Sequence, residues 1–464
     1  MPAHRQTVYE RLAPPESLVD AVLAPSRHSV FWLEDAPGTA YPRLTQDTTA
    51  DLTVVGGGYC GLWTAVLAKR RNPAARVVLL EAQTVGWAAS GRNGGFCEAS
   101  LTHGEENGRR RWPDEYDALE RLGAQNLDAF ESDVRDLNLD AQFERTGMLS
   151  VAVEEHQVEW LPPDHPGHLD REAVRAEIDS PVFLAGEWER DGCALVHPAR
   201  LARELARVAA DLGVEIHEQT TVTGLDGTAV RTPHGTVTSD QVALATNVFP
   251  ALVRRARLLT VPVYDYVLMT EPLSDAQLAS IGWAHRQGLG DLANQFHYSR
   301  LTADNRILWG GYDAIYRRRV RAAHEERPAT FRTLASHFLT VFPQLEDVRF
   351  SHRWAGAIDT STRFAAFHGL AAGGRVAYAA GFTGLGVGAT RFAAEVMLDR
   401  LAGLETERTA LEMVRQMPLP FPPEPLASIG INLTRWSLDR ADHRQGRRNL
   451  FLRTLDRAGL GFDS

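Results

Sequence analysis

The amino-acid sequence predicts an α/β fold with two domains, one built on a parallel sheet and the other on an antiparallel sheet. The chain has 464 residues, which is too long for one ordinary hydrophobic core, and its 44% hydrophobic and 23% charged residues are typical of a globular protein. From residue 51, the run DLTVVGGGYCGLWTAVLAKRR predicts a strand, a glycine turn and an amphipathic helix, and RVVLLEA at 76–82 predicts a second buried strand. Together they form a β-α-β unit, the building block of a parallel sheet.

Later segments add to this first domain. Short strands separated by glycine-containing turns are predicted in 213–225, 227–246 and 374–381. The run PARLARELARVAADLG at 198–213 has apolar residues at helical spacing and ends in glycine, which predicts a crossover helix.

The antiparallel domain is predicted in the segments that lack this alternation of strands and helices. TVPVYDYVLMTEPL (260–273) and ILWGGYDAIY (307–316) alternate apolar with polar or aromatic residues, which suits a sheet with one face toward a cavity. Before residue 51, a Phe31-Trp32-Leu33 patch is expected to pack a polar arm onto the body. The predicted organisation is an N-terminal arm (1–50), a discontinuous first domain (51–100, 196–250 and 356–405), a second domain (101–195 and 251–355) and a C-terminal extension (406–464).

The first glycine turn carries a dinucleotide-binding pattern. Gly56, Gly58 and Gly61 form G-x-G-x-x-G between a predicted strand and a predicted helix. The first glycine permits the turn, the second lets the backbone approach a pyrophosphate, and the third lets the helix pack on the strand. Glu81 ends the second strand, where a carboxylate accepts hydrogen bonds from ribose hydroxyls and repels a 2′-phosphate.

Two further glycine-rich blocks follow, GWAASGRNGGF (86–96) and GFTGLGVGATRFAAEVMLDRL (381–401). In the first, the sequence resembles the D-amino-acid oxidase and glycine oxidase superfamily of FAD enzymes, and most closely its gamma-glutamylputrescine oxidase-like branch. The resemblance recurs in TTV (220–222), ALATN (243–247) and the 381–401 block, and it covers about 350 residues. It implies FAD rather than NAD as the cofactor. In the last block, amides and a helix N-terminus converge on one point, where they would stabilise negative charge on reduced flavin.

The expected FAD-binding residues come from these motifs. They are Gly56, Gly58, Tyr59, Gly61, Glu81, Ala82, Ser90, Gly91, Arg92, Asn93, Gly94, Gly95, Val222, Ala245, Thr246, Gly381, Thr383, Gly384, Leu385, Gly386, Val387 and Gly388. Some members of the superfamily hold FAD covalently through a histidine or a late cysteine. Here Arg92 stands where the tethering histidine would lie and the segment 352–369 contains no cysteine, so FAD is expected to be non-covalent.

Residues that contact the substrate are predicted by the resemblance alone. It implies that Tyr264, Tyr266, His297, Tyr298, Arg353 and Trp354 approach the flavin, and Tyr266, His297, Arg353 and Trp354 are the candidate catalytic residues. A packing role is an equal alternative for each. Asp265 and Asp359 are candidate amine anchors. No metal-ligand spacing and no G-x-S-x-G elbow is present, so neither a metal centre nor a serine hydrolase is predicted.

Charge and cysteine content limit the expected partners. The formal net charge of −10 gives no general attraction to nucleic acid or anionic lipid, and neither is expected as a partner. Three scattered cysteines and the lack of a signal-peptide pattern suggest a reducing, cytoplasmic location. The expected partner is a small amine or amino acid, and the sequence predicts nothing about oligomeric state.

The expected activity is FAD-dependent oxidation of a C–N bond. A hydride would pass from the carbon bearing a neutral amine to flavin N5, and water would hydrolyse the resulting imine to a carbonyl product. Oxygen or another acceptor would reoxidise the flavin. The alternatives are a dehydrogenase with a quinone or protein acceptor, a flavoprotein with a non-amine substrate, a tRNA-modifying flavoenzyme, and a protein that keeps FAD for structure. The acidic net charge counts against the tRNA enzyme.

Overall fold

The structure is a computed structural model that describes residues 5–461. The strands in chain order are β1 (Arg27–His28), β2 (Thr48–Val55), β3 (Val77–Leu80), β4 (Phe96–Glu98), β5 (Met148–Ala152), β6 (His168–Leu169), β7 (Ala185–Glu189), β8 (Cys193–Leu195), β9 (Glu215–His217), β10 (Gly224–Asp226), β11 (Ala229–Thr232), β12 (Gly235–Leu244), β13 (Thr260–Thr270), β14 (Gly288–Asp291), β15 (His297–Leu301), β16 (Ile307–Gly311), β17 (Ile315–Tyr316), β18 (Phe350–Ser361), β19 (Phe367–Ala371) and β20 (Val376–Ala380). The α-helices are α1 (Val8–Arg11), α2 (Glu16–Leu23), α3 (Phe31–Asp35), α4 (Tyr59–Arg71), α5 (Glu105–Arg111), α6 (Tyr116–Asp136), α7 (Glu155–Val158), α8 (Arg171–Glu177), α9 (Pro198–Asp211), α10 (Asp275–Ile281), α11 (Pro328–Val341), α12 (Gly386–Leu401), α13 (Glu407–Ala410), α14 (Glu412–Arg415), α15 (Leu426–Asp442) and α16 (Leu450–Arg457).

The first sheet has eight strands, and its centre is parallel, with β12, β2, β3 and β9 side by side and β20 also parallel to β12. All four residues of β3 are buried, as expected for a strand covered on both faces. Helices α4, α9 and α12 pack on this sheet. The predicted β-α-β unit and the crossover helix are therefore confirmed.

Helix α6 differs from the predicted domain organisation. It lies in the segment 101–195, which the sequence assigned to the antiparallel domain, but its Leu119, Leu127 and Phe130 join the core of the first sheet. Phe130 packs edge-on against Trp63 of α4, with ring centroids 5.3 Å apart. The apolar stripe of a helix shows that the helix is buried and not which sheet it covers, because helices on either sheet use the same spacing.

The second sheet has ten strands and is mostly antiparallel, as predicted. Its centre is the long pair β13 and β18, in which Tyr264 lies opposite Ala357 and Val267 opposite Trp354. Alternate residues of β13 point to opposite faces. Tyr264, Tyr266 and Leu268 join the core with α11, while Val261, Val263 and Asp265 line a cavity on the other face.

Both ends of the chain pack on this body. Strand β1 pairs with β18, and Phe31 and Trp32 of α3 are buried against Val267 and Trp354, so the patch packs as predicted. Helices α15 and α16 contribute side chains to the lining of the cavity. Across residues 5–461, none of the helices combines the length and apolar character that a membrane crossing requires.

Candidate active site

A cavity of about 1660 Å³ extends from the glycine turn after β2 to the second sheet. A pocket for one drug-sized ligand measures roughly 300–1,000 Å³, so this cavity has room for a dinucleotide and a second, smaller molecule. Three glycine-rich loops surround it: the turn at 56–58, the segment 86–95 and the segment 381–388.

The first loop has the backbone geometry of a phosphate-binding turn. Gly56 has φ +114°, a conformation that side chains disfavour, and a Cβ there would overlap the carbonyl oxygen of Ala245. Gly58 caps α4, and a Cβ on it would lie 2.9 Å from Ser90 Oγ. The start of α4 therefore presents the side-chain-free backbone of Gly58 and the positive end of the helix to the cavity.

Glu81 organises this loop from the end of β3. Its carboxylate accepts hydrogen bonds from Gly57 N at 2.7 Å, Gln83 N at 2.8 Å and Trp87 Nε1 at 2.9 Å. The side chain is buried, and burial raises its pKa despite these bonds. A carboxylate offers about four acceptor positions, so one remains for a ribose hydroxyl.

Arg92 fixes the second loop to the second sheet. Its Nη1 lies 2.6 Å from Glu325 Oε2 and 3.2 Å from the carbonyl oxygen of Ala355, and its Nε donates to the carbonyl oxygen of Trp87 at 2.9 Å. Its charge and its donors are thus largely used within the protein.

Two tryptophans support the same loop by hydrogen bonds to its backbone carbonyl groups. Trp354 Nε1 donates to the carbonyl oxygen of Arg92 at 2.8 Å, and Trp32 Nε1 donates to that of Asn93 at 3.0 Å. Ser90 Oγ accepts a hydrogen bond from the amide of Tyr59 at 3.0 Å, and this bond joins the second loop to the first. The N-terminal arm, through Trp32, is thus part of the support of the site.

Asp359 anchors the third loop. It is 2% exposed, and its carboxylate accepts the amide of Gly381 at 2.5 Å. Burial raises its pKa to about 7, and hydrogen bonds from the amides of Gly381 and Phe382 limit the rise. The loop leads into α12, whose first residue, Gly386, lines the cavity. The positive end of this helix thus faces the same space as Asp359.

Most of the expected cofactor residues border the cavity. Those that line it are Gly56, Gly58, Tyr59, Glu81, Ala82, Ser90, Arg92, Asn93, Gly94, Gly95, Val222, Ala245, Thr246, Thr383, Gly384, Leu385, Gly386 and Val387. The other four, Gly61, Gly91, Gly381 and Gly388, lie just behind the wall, where a Cβ would meet other protein atoms at close range. They support the loops by close packing.

Tyr266 is placed differently from the expectation. Its hydroxyl donates to the carbonyl oxygen of His324 at 2.7 Å, and its ring packs against Phe331 on the side of the second sheet away from the cavity. Tyr264 points the same way. The cause is strand alternation, which turns Asp265, between them, into the cavity.

The other three candidate catalytic residues also lie outside the cavity lining. His297 is buried between Asp291, 2.6 Å from its Nδ1, and His337, 2.9 Å from its Nε2. Arg353 donates to the carbonyl oxygen of Ser26 and pairs with Glu326 at 3.0 Å, and Trp354 supports the second loop. None of the four candidates lies in the cavity lining, so their catalytic role stays a prediction, and these contacts favour the packing alternative.

Two residues named only as secondary candidates do reach the cavity. Tyr298, the neighbour of His297, donates its hydroxyl to Asp265, and both line the wall. Burial raises the pKa of Asp265 to about 6, and burial followed by Asp265 raises that of Tyr298 well above its usual range. Glu98 and His103, for which no role at the site was predicted, line the cavity beside the third loop.

The C-terminal extension lines the cavity with apolar side chains that the sequence analysis did not single out. The principal ones are Phe421, Leu426, Ile431, Leu438, Phe451 and Leu455. In the sequence, these residues show only the amphipathic spacing in 426–457. This spacing predicts that one face of each helix is buried but does not predict which part of the protein it packs against. As for metals, no group of three or more potential ligands comes together within the part of the chain that the structure describes.

The cavity fits an extended dinucleotide, since it offers the side-chain-free backbone of Gly58, a ribose acceptor in Glu81 and a second helix N-terminus at Gly386. The fold and the site define a dinucleotide-binding enzyme with a second sheet over the binding loops. The chain belongs to the DAO family of FAD-dependent oxidoreductases, because the model of that family, described as FAD dependent oxidoreductase, matches residues 51–400. The family implies FAD as its cofactor.

Individual proteins agree with this assignment. The chain is 29% identical over 403 residues to gamma-glutamylputrescine oxidoreductase of Escherichia coli, covering 82% of this chain and 90% of that protein. It is 27% identical over 394 residues to the probable oxidoreductase OrdL of Haemophilus influenzae, covering 80% and 87%. The structure of glycine oxidase from Geobacillus kaustophilus superimposes with a TM-score of 0.65 at 19% identity, covering 80% of this chain and 99% of that one, and it confirms the fold.

Proposed function

We propose that the protein oxidises a C–N bond in a small amine or amino acid. Bound FAD would supply the chemistry by accepting a hydride from the carbon next to nitrogen. The similar proteins support an amine or amino-acid substrate, because their names specify gamma-glutamylputrescine and glycine. Oxygen or another acceptor would then reoxidise the cofactor.

The observation that carries this proposal is the charge of the cavity wall next to the second sheet. Asp265 and Asp291 line it there, and Asp359 lies beside the third loop. Carboxylates attract an ammonium group, and we assign Asp265, held by Tyr298, to the negatively charged wall that draws an amine into the cavity. The apolar side chains of α15 and α16 would exclude water from the reacting groups.

The cofactor-binding roles follow the same geometry. We assign the pyrophosphate to the backbone at Gly58 and the N-terminus of α4, the ribose to Glu81, and the flavin to the loops around Asn93 and Gly384. The domains proposed for these roles keep the predicted boundaries, except that α6 is grouped with the first sheet.

The direct test is anaerobic bleaching of the flavin by primary amines, N-methyl amino acids and D-amino acids. The neutral amine is the reactive form, whereas most free amines are protonated near neutral pH. The rate of flavin reduction is therefore expected to climb between about pH 6 and pH 10. Stopped-flow absorbance at each pH measures it. A rate that is flat across this range for every active compound would favour an alcohol or hydroxy-acid substrate instead.

Non-covalent attachment of FAD is a second expectation of the site. Cys97 is fully buried, and burial holds its pKa far above the usual range, so it remains a neutral, unreactive thiol. Arg92 occupies the loop position of the tethering histidine. Acid precipitation is expected to leave the flavin in the supernatant, as measured by absorbance. Yellow colour retained in the protein pellet would show a covalent bond.

A further inference from the structure

Glu98 lies at the end of β4 and lines the cavity. Phe96, two residues earlier, shares its face of the strand, and the Phe96 ring packs 5.6 Å from that of Tyr298 on the second sheet. Glu98 therefore faces the space bounded by the second sheet. Its own carbonyl oxygen lies against Gly388 of α12, which places it next to the third loop.

Within residues 5–461, the Glu98 carboxylate has no hydrogen-bond or ion-pair partner. Asp265, by contrast, accepts the Tyr298 hydroxyl, and Asp291 binds both His297 and Tyr9. Burial, followed by the nearby charge of Glu189, raises the pKa of Glu98 to about 7. The side chain is half-buried and faces the cavity, so a cation placed beside its carboxylate would offset the cost of its partial desolvation.

The side chains of the cavity lining that can carry a positive charge are already paired with a carboxylate, lie far from Glu98, or are neutral. Arg92 pairs with Glu325 at 2.6 Å, and Arg435 pairs with Asp313 at 2.8 Å. Arg257 belongs to the segment that packs with Val222 on the first sheet, at the nucleotide end. Burial lowers the pKa of His103, which keeps it neutral. Among residues 5–461, a substrate carboxylate would therefore meet no free cation near Glu98.

We infer that Glu98 binds the substrate nitrogen in its cationic form as the substrate enters the cavity, before the amine loses its proton and reacts, and that the substrate is a monoamine with an apolar body and no carboxylate. One partner-free carboxylate matches one positive charge. The apolar wall from Leu426, Ile431, Leu438, Phe451 and Leu455 matches the rest of the molecule. This inference rests on the proposed amine oxidation and narrows its substrate class.

The test uses the FAD-loaded enzyme and two probes of the same shape, tert-butylammonium and pivalate. Neither has a hydrogen on the carbon next to its charged group, so neither is oxidised there, and binding is measured as a change in the flavin absorption spectrum. Wild-type enzyme is expected to bind tert-butylammonium more tightly than pivalate. Glu98→Gln is expected to weaken tert-butylammonium binding about tenfold or more, the loss typical of a buried charge interaction, and to narrow or reverse this preference.

The matched control is Glu189→Gln, which removes an exposed carboxylate close to Glu98 but outside the cavity lining. It is expected to change tert-butylammonium binding less than about threefold, as for a screened surface charge. For oxidisable amines, Glu98→Gln should raise the substrate concentration for half-maximal flavin reduction far more than it lowers the limiting rate.

The outcomes separate the two proposals. Equal effects of Glu98→Gln and Glu189→Gln, or tighter binding of pivalate by wild type, would overturn the role of Glu98 and leave amine oxidation standing. Tight tert-butylammonium binding that depends on Glu98, with no bleaching by any amine, would overturn amine oxidation and leave the cation site standing.

Discussion

Replacing Gly58 with valine is expected to yield a colourless protein. Gly58 caps α4, and a Cβ there would lie 2.9 Å from Ser90 Oγ, the atom that accepts the amide of Tyr59. The branched side chain would also occupy the surface where a pyrophosphate approaches the backbone. The ratio of flavin to protein absorbance measures occupancy.

Thermal unfolding with and without added FAD gives a second readout for Gly58→Val. A ligand at 100 times its Kd stabilises the folded state by about 2.7 kcal/mol, so wild type should gain in Tm while the variant should not. The control is Ala279→Val, at an exposed position of α10 outside the cavity lining. Full FAD occupancy in Gly58→Val would show that this turn is not the phosphate site.

Replacing Asp359 with alanine is expected to remove FAD binding and lower Tm. The Asp359 carboxylate accepts the amide of Gly381 at 2.5 Å, and each buried donor left without a partner costs about 1–3 kcal/mol. Asp359→Asn keeps an oxygen acceptor and should retain the loop and most of the flavin. Equal FAD occupancy in wild type and Asp359→Ala would contradict the anchoring role.

A comparison of wild type with Asp359→Asn tests how the charge of Asp359 affects stability at different pH values. Burial raises its pKa from the ordinary 3.8 to about 7 in the folded state. Because the folded-state pKa is the higher one, this group stabilises the fold fully below about pH 4, and the contribution is lost as pH rises through about 7. In FAD-free protein, the free energy of unfolding of wild type relative to Asp359→Asn should therefore fall between pH 5 and pH 8, by an amount on the order of a few kcal/mol. Urea unfolding measures it, and a constant difference would contradict the raised pKa.

The sequence was a good guide to the cofactor loops because their requirements are local. A turn such as Gly56 to Gly61 needs particular residues at fixed spacing between a strand and a helix, so the pattern is visible without the rest of the fold. The same holds for Glu81, which is fixed by its place at the end of a buried strand.

The substrate side of the cavity was predicted poorly, for a different reason. Within YDY at 264–266, strand alternation sends the two tyrosines into the core and the aspartate into the cavity. The resemblance implied that both tyrosines approach the flavin, but a shift of one residue reverses the face of a strand, and only the register of β13 against β18 sets that choice. The same reversal separates His297 from Tyr298.

By itself, the sequence determined the parallel sheet, the three glycine-rich loops and the FAD-dependent oxidoreductase family, since each depends on residues close together in the chain or on motifs that recur within a family. Tertiary structure alone decided that Trp32 supports the second loop, that α15 and α16 line the cavity, and that Glu98 faces the cavity without a partner among residues 5–461. Each of these depends on contacts, or on their absence, between segments far apart in the chain. The local sequence pattern shows that such a side chain needs either burial or a hydrogen-bond partner. The tertiary packing determines whether the side chain has one of these.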